Sequence, residues 1–320
     1  MRHERYMRTM RTVMKPVSRR AVLFGALASA CVPRAFAAQP RFEEVAPGIF
    51  MRSGVDEEVS VANDGAIANV GFVVGDDSVA VWDTGGSRAD GERLRAAIRE
   101  HTKLPVRFVI LTHGHPDHVF GTAAFLADGP QIIGHTRLAA ALARRGDYYR
   151  ARAEAELGPS RVGKVIAPTR RVEGRLDIDL GKRVLTLTAH PIAHTDNDLS
   201  ALDQRTGTLL ASDLLFVRRV PALDGSLRGW LAELRKLQAL PAKRAVPGHG
   251  PAGVDWPTGA DALERYLNVL LTESRAAIAR GIPIEQAVEV VGKSERGHWA
   301  LFDDYHGRNV TKAFKELEWE

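Results

Sequence analysis

The sequence predicts an α+β chain, one large sheet-and-helix domain followed by a helical tail. Three observations carry this. Runs rich in Val, Ile, Leu and Phe alternate with stretches whose apolar residues recur at helical spacing. Residues able to ligate metal recur just after the strand-like runs. The 320 residues are 45% hydrophobic and 26% charged, ordinary for a globular protein and enough to bury a sizeable core.

Taken in order, the body opens near residue 44 with short strand-like pieces, "GIFMRSG" among them. "NVGFVVGDDSVAVWDTGG" reads as a hairpin, its two β-branched runs meeting at Gly75-Asp76-Asp77. "SRADGERLRAAIREHT" is an amphipathic helix with Ser87 and Asp90 in its cap region. "PVRFVILTH" is an apolar strand running into a histidine cluster, and residues 136–157 read as a long Ala/Arg/Glu-rich helix. "RVLTLTAH" is a strand ending at His190. "DLSALDQRTGTLLASDLLF" is two strands joined at Arg205-Thr206-Gly207. "SLRGWLAELRKLQAL" is helical, with Trp230 and Leu231 as core positions, and "RAVPGHG" is a strand entering a Gly-rich loop. Residues 257–280 and most of 284–320 read as helix.

The net charge of +5 suggests nucleic acid and misleads. Residues 1–37 carry eight Lys/Arg against Glu4 alone, so removing that +7 leaves the body at −2. No nucleic-acid partner is expected. That basic segment reads as an export signal: paired Arg19 and Arg20, an apolar stretch from Ala21 to Val32, and the small-x-small site "AFA" at 35–37. The paired arginines resemble the twin-arginine signal, which predicts a periplasmic protein with no membrane span once the signal is removed. The alternatives are a general secretory signal, an uncleaved anchor, or lipid attachment at Cys31 in "LASAC". Cys31 is the only cysteine. With cleavage near Ala37 the mature chain would have no disulfide, thiolate nucleophile or sulfur ligand.

"LTHGHPDHVFG" places His113, His115, Asp117 and His118 within six positions. Imidazoles at that density are costly to bury without partners. His194 in "AHTDND", Asp213 in "ASDLLF" and His249 in "PGHGP" complete five imidazoles and two carboxylates. One catalytic zinc needs about three protein ligands, so seven suit two metals. His113 and His115, two apart in an extended segment, face one side. Asp117 and His118 follow the turn at Pro116. A nitrogen and oxygen set suits zinc and also admits iron or manganese.

"THGHPDH" matches the H-x-H-x-D-H signature, and with Asp83 in "VWDTG", His194, Asp213 and His249 in order it resembles the metallo-beta-lactamase superfamily over residues 44–255. The resemblance implies an αββα sandwich with two zinc ions at one edge. His113, His115 and His194 would hold the first zinc, and Asp117, His118 and His249 the second. Asp213 would bridge, and Asp83 would orient the histidine loop. The implied activity is hydrolysis: two zinc ions lower the pKa of a shared water toward about 7, and Asp117 orients the resulting nucleophile. Asp213 stands where several true β-lactamases carry cysteine, so an ester, thioester or related bond is expected ahead of a β-lactam. More narrowly, "HTDNDLSALD", "LLASDLLFVRRVPALDGSLRGWL" and "VPGHGP" resemble the exported zinc metallohydrolases of quinoprotein relay systems. That implies a small-molecule substrate and a periplasmic quinoprotein dehydrogenase as partner. The competing readings are a β-lactam hydrolase and a non-hydrolytic metal or redox accessory.

Further expectations concern single residues. His135 in "IIGHTR" ends a strand and is expected beside the ligands, while His190 is expected to be structural. His101, His298 and His306 are expected as ordinary core or surface groups. Arg218 and Arg219 read as a solvated pair, with anion binding as the alternative. The chain divides into the signal at 1–37, the sandwich at 44–255 and a helical extension at 256–320, whose role is either packing or lining the mouth of the site.

Overall fold

The computed structural model describes residues 41–320. The expected export signal at 1–37, with Cys31, lies outside the described residues. The first sheet collects β1 (Glu43–Ala46), β2 (Ile49–Arg52), β3 (Val70–Val74) and β4 (Val79–Trp82). After helix α1 (Arg88–His101) come β5 (Val106–Leu111), the single-turn α2 (Pro116–Val119), β6 (Gln131–His135), helix α3 (Leu138–Leu157) and β7 (Arg170–Val172). These seven strands lie in sequence order, antiparallel through β4 and parallel from β4 to β7.

The second sheet holds β8 (Arg175–Asp179), β9 (Val184–Ala189), β10 (Leu199–Asp203) and β11 (Thr208–Phe216), then, after α4 (Leu227–Gln238), β12 (Arg244–His249) and β13 (Val254–Asp255). Its order is β13-β12-β11-β10-β9-β8, antiparallel except for the parallel β11–β12 pair. The chain closes with α5 (Asp261–Ala279), α6 (Ile284–Val290) and α7 (Phe302–Leu317). None of the described helices is long and apolar enough to cross a membrane.

Side-chain alternation builds the layers. In β5, Ile110 packs between the sheets with Val73, Leu187 and Leu210, while Val109 and Leu111 face outward onto Leu94, Ile98 and Leu142 of α1 and α3. In β11, Leu210 joins the central layer, while Leu209 and Ala211 join α4, α5 and α7. The result is helix, sheet, sheet, helix, the expected αββα sandwich. Ser87 caps α1 as read from the sequence, accepting from the Asp90 amide.

The short strands β1, β7, β8 and β13 carry little sequence signal. "RRV" and "RLDID" are too polar and brief to read alone, and they form by pairing to β6 and β9. Residues 261–317 share one continuous apolar core with β11 and α4, through Tyr266, Leu267, Val310 and Phe314 against Leu215 and Trp230.

Candidate metal centre

All seven expected ligand side chains meet at one edge of the sandwich. His113, His115, Asp117 and His118 lie beyond β5, His194 lies in the loop beyond β9, Asp213 lies within β11, and His249 ends β12. The register of β11 against β12 shifts on both sides of Ser212, which turns Asp213 toward the histidines. Two groups result: His113, His115, His194 and Asp213, and Asp117, His118 and His249. Within each, the candidate ligand atoms lie within 4.8 Å of one another.

Asp213 faces both groups. Its Oδ2 lies 3.3 Å from His194 Nε2, 3.6 Å from His113 Nε2 and 3.5 Å from His249 Nε2, and its Oδ1 lies 3.1 Å from His118 Nε2. Asp117 Oδ2 lies 3.4 Å from His249 Nε2 and 3.7 Å from His118 Nε2.

Each histidine has its outer nitrogen tied and its inner nitrogen aimed at this centre. His118 Nδ1 lies 2.8 Å from Asp83 Oδ2, His194 Nδ1 2.7 Å from the Ala222 carbonyl, and His249 Nδ1 2.9 Å from the Ile67 carbonyl. His113 Nδ1 lies 3.0 Å from Thr112 Oγ1, whose own proton goes to Asp83. His115 is reversed: Nε2 meets Asp224 Oδ2 at 2.9 Å, leaving Nδ1 3.2 Å from His194 Nε2. A carbonyl partner forces N–H on the outer nitrogen and so, in the neutral ring, a lone pair on the inner one. Acceptors therefore face acceptors. Among the described residues, the buried His113 Nε2, His118 Nε2 and Asp213 Oδ1 have no hydrogen-bond partner. Buried polar atoms are normally satisfied. A convergent set of lone pairs and carboxylates fits divalent cations held by nitrogen and oxygen.

The charges agree. Burial pulls the His118 imidazole down, but Asp213, Asp117 and Asp83 outweigh it and raise its pKa well above the ordinary value. Burial opposes ionisation of Asp213, yet His118, His249 and His113 hold it well below the carboxylate range. Asp117 is likewise held low by His118 and His249 against its burial. His113 sits well below its ordinary pKa, through burial first and then the neighbouring His118. The cluster thus demands positive charge, which protons or metal can meet.

Asp83 accepts from the Thr112 amide and hydroxyl, both at 2.8 Å, and from Ser212 Oγ at 3.1 Å, as well as meeting His118. Asp83 (φ 53) and Ser212 (φ 48) both adopt the left-handed region, sparsely used by non-glycine residues. His135 lies apart from the seven. Its Nε2 contacts the His190 carbonyl and its Nδ1 accepts from the Arg137 amide, so its link runs through the backbone of the His194 loop. His190 is buried between Glu233 and Ser200, at 2.9 and 2.7 Å.

Arg218 and Arg219 do not form a solvated pair. Arg219 is buried, donating to the Glu57 carbonyl, Glu58 and Tyr305, while Arg218 pairs with Asp56. Their salt bridges and hydrogen bonds hold the 56–58 segment over the site. Sequence reasoning missed Thr112, Ser212 and Asp224. The last reads only as turn residue in "LDG", and nothing local marks it as a histidine partner.

A cavity of about 230 Å³ opens onto Asp117, Asp213 and His249, walled by Phe216, Leu223 and Tyr149 and, from α7, Tyr305 and Asn309. The helical extension therefore lines the mouth as well as packing.

The described family to which residues 63–249 match is the "Metallo-beta-lactamase superfamily". The 2,4-dinitroanisole O-demethylase subunit alpha of Nocardioides sp. (strain JS1661) is 28% identical over 183 residues, covering 55% of this chain and 51% of that protein. The hydroxyacylglutathione hydrolase of Anaeromyxobacter dehalogenans (strain 2CP-C) is 35% identical over 129 residues, covering 40% of this chain and 39% of that protein. The chain thus spans about half or less of these relatives' length. The solved metallo-beta-lactamase from Pontibacter korlensis matches with a TM-score of 0.59 at 18% identity, over 71% of this chain and 98% of that one. At that identity the shared property is the fold.

Proposed function

The chain belongs to the metallo-beta-lactamase superfamily, and on that premise we propose that it is a dinuclear zinc hydrolase acting on an ester, thioester or related carbonyl bond. The supporting observation is the set of five imidazoles whose outer nitrogens are tied and whose inner nitrogens converge on Asp213. In this reading His113, His115 and His194 hold one ion, Asp117, His118 and His249 the other, and Asp213 lies between. When bound, the ions would supply Lewis acidity at a carbonyl and lower the pKa of bound water. Asp117, which lines the cavity, would orient the attacking water and accept its proton. Phe216, Leu223 and Tyr149 supply an apolar wall for the acyl group.

We further propose that the protein works in the periplasm, exported through the twin-arginine route, beside a quinoprotein dehydrogenase whose quinone belongs to the partner. Arg19 and Arg20, the "AFA" site and the stretches around His194, Asp213 and His249 support this.

The test is metal content by mass spectrometry on protein purified from the periplasm, with Asp213→Ala beside it, followed by thioester, lactone and β-lactam substrates. About two zinc per chain, falling sharply in the variant, with thioester or ester turnover, supports the reading. Iron without hydrolysis, or folded protein without metal, overturns it. Turnover confined to β-lactams replaces the substrate assignment.

A further inference from the structure

Two of the outer anchors described above come from one segment, residues 221–228. Ala222 supplies the carbonyl that ties His194 Nδ1, and Asp224 supplies the carboxylate that ties His115 Nε2. The amides of Asp224 and Gly225 also donate to the His194 carbonyl, at 3.1 and 2.6 Å. This segment carries no strand pairing of its own. It is held from outside, at both ends, by α7.

At one end, the buried Asn309 donates to the Pro221 carbonyl at 2.7 Å and accepts from the Leu223 amide at 2.9 Å, bracketing Ala222. Its second donor goes to Tyr266 Oη at 2.8 Å, tying the grip to α5. Seven residues on, two turns along the same face of α7, Glu316 accepts from Ser226 Oγ and from the Leu227 and Arg228 amides at 2.7–3.1 Å. Its carboxylate thus satisfies free amides in the first turn of α4. Asp224 lies between the two grips.

The other metal group has no such dependence. His118 is tied by Asp83, beyond β4, and His249 by Ile67, just before β3. Both anchors belong to the first sheet and its loops.

We propose that α7 is a positioning element for one half of the metal centre: Asn309 and Glu316 hold the 221–228 segment, which fixes His115 and His194 in their ligating orientations. The proposal rests on the dinuclear reading above. The helical extension is then part of the site's construction, and its loss would cost one ion before the other. Partners that orient ligands typically influence metal affinity by about 10- to 100-fold, and Asn309, acting one step further out, is expected at the lower end.

The experiment measures zinc retained per chain during dialysis against graded chelator, for wild type, Asn309→Ala, Glu316→Ala and Tyr266→Phe. Melting temperatures of the metal-free proteins are recorded in parallel. Tyr266→Phe removes the other partner of Asn309 without touching the segment, and so reports destabilisation alone. The expected result is that Asn309→Ala and Glu316→Ala each release one zinc at about tenfold lower chelator concentration and keep the second at the wild-type value. Tyr266→Phe should keep both. Asn309→Ala and Glu316→Ala proteins that hold both ions as wild type does, or that lose both together as Tyr266→Phe also does, overturn the positioning role. If Asn309→Ala does not fold, Glu316→Ala, at a half-buried position, decides alone. Wild-type protein that takes up no zinc overturns the dinuclear reading itself, a different outcome from two zinc ions held equally by all variants.

Discussion

His118 Nδ1 and Asp83 Oδ2 lie 2.8 Å apart with neither side chain exposed to solvent. The same carboxylate receives the Thr112 amide and hydroxyl and the Ser212 hydroxyl. One buried acid thus joins β4, the histidine loop and β11. Replacing it by asparagine keeps the shape but turns one acceptor into a donor facing a donor. Asp83→Asn should flip or tilt His118 and weaken metal binding in the Asp117, His118 and His249 group by about 10- to 100-fold. Chelator competition on purified protein measures this.

Gly248 precedes His249 and packs against Asp213. A β-carbon there would stand 1.9 Å from Asp213 Oδ1 and 2.7 Å from the Asp213 amide nitrogen. The backbone cannot yield that distance cheaply, so the carboxylate must turn away. Gly248→Ala is expected to lose bound metal and hydrolysis together while remaining folded by circular dichroism. Wild-type metal content in this variant would show that Asp213 does not govern loading.

Chelation should cost stability as well as activity. A ligand present at a thousandfold above its dissociation constant stabilises the folded state by about 4 kcal/mol. For a domain of this size that corresponds to a fall in Tm on the order of 10 °C on metal removal. Calorimetry with and without chelator, followed by zinc add-back, checks both the size and the reversibility.

A pH dependence is built in away from the metal centre. His306 is buried in the helical layer, its Nδ1 3.0 Å from Tyr266 Oη and its Nε2 2.7 Å from the Val291 carbonyl. That arrangement needs the neutral ring. Burial lowers its pKa below the ordinary value, with Lys293 adding to the effect. The unfolded chain therefore binds the proton more readily. The His306 contribution is complete above about pH 6.5 and declines as pH falls below it, by at most about 1.4 kcal/mol per unit. His306→Gln should lower Tm at pH 7.5 yet shrink the loss between pH 7.5 and 5.5. An undiminished loss in the variant would assign the acid sensitivity elsewhere.

Most of the fold was legible in the residues. The hairpin at 70–82, the Ser87-capped α1, the apolar β5 and the long α3 follow from local periodicity and capping, which act over a few residues. The seven candidate ligands were legible for a chemical reason: closely spaced imidazoles and carboxylates after strands have few inexpensive structural uses. Strands β7, β8 and β13 were not legible, because short, mostly polar runs such as "RRV" have no preference that survives without a partner strand.

What the sequence determined by itself is therefore the inventory: the alternation of strands and helices, and the side chains available for ligation. What the tertiary structure alone decided is orientation. For four of the five histidines, which nitrogen turns inward depends on groups far away in the chain: Asp83 for His118, Ala222 for His194, Asp224 for His115 and Ile67 for His249. Arg219, read as half of a solvated pair, is instead buried against Tyr305, the Glu57 carbonyl and the Glu58 carboxylate. Asn309, unremarkable in "YHGRNV", holds the segment that anchors two histidines. A hydrogen bond is directional and short-ranged, so its partner is set by the packing of whole elements, which local spacing does not encode.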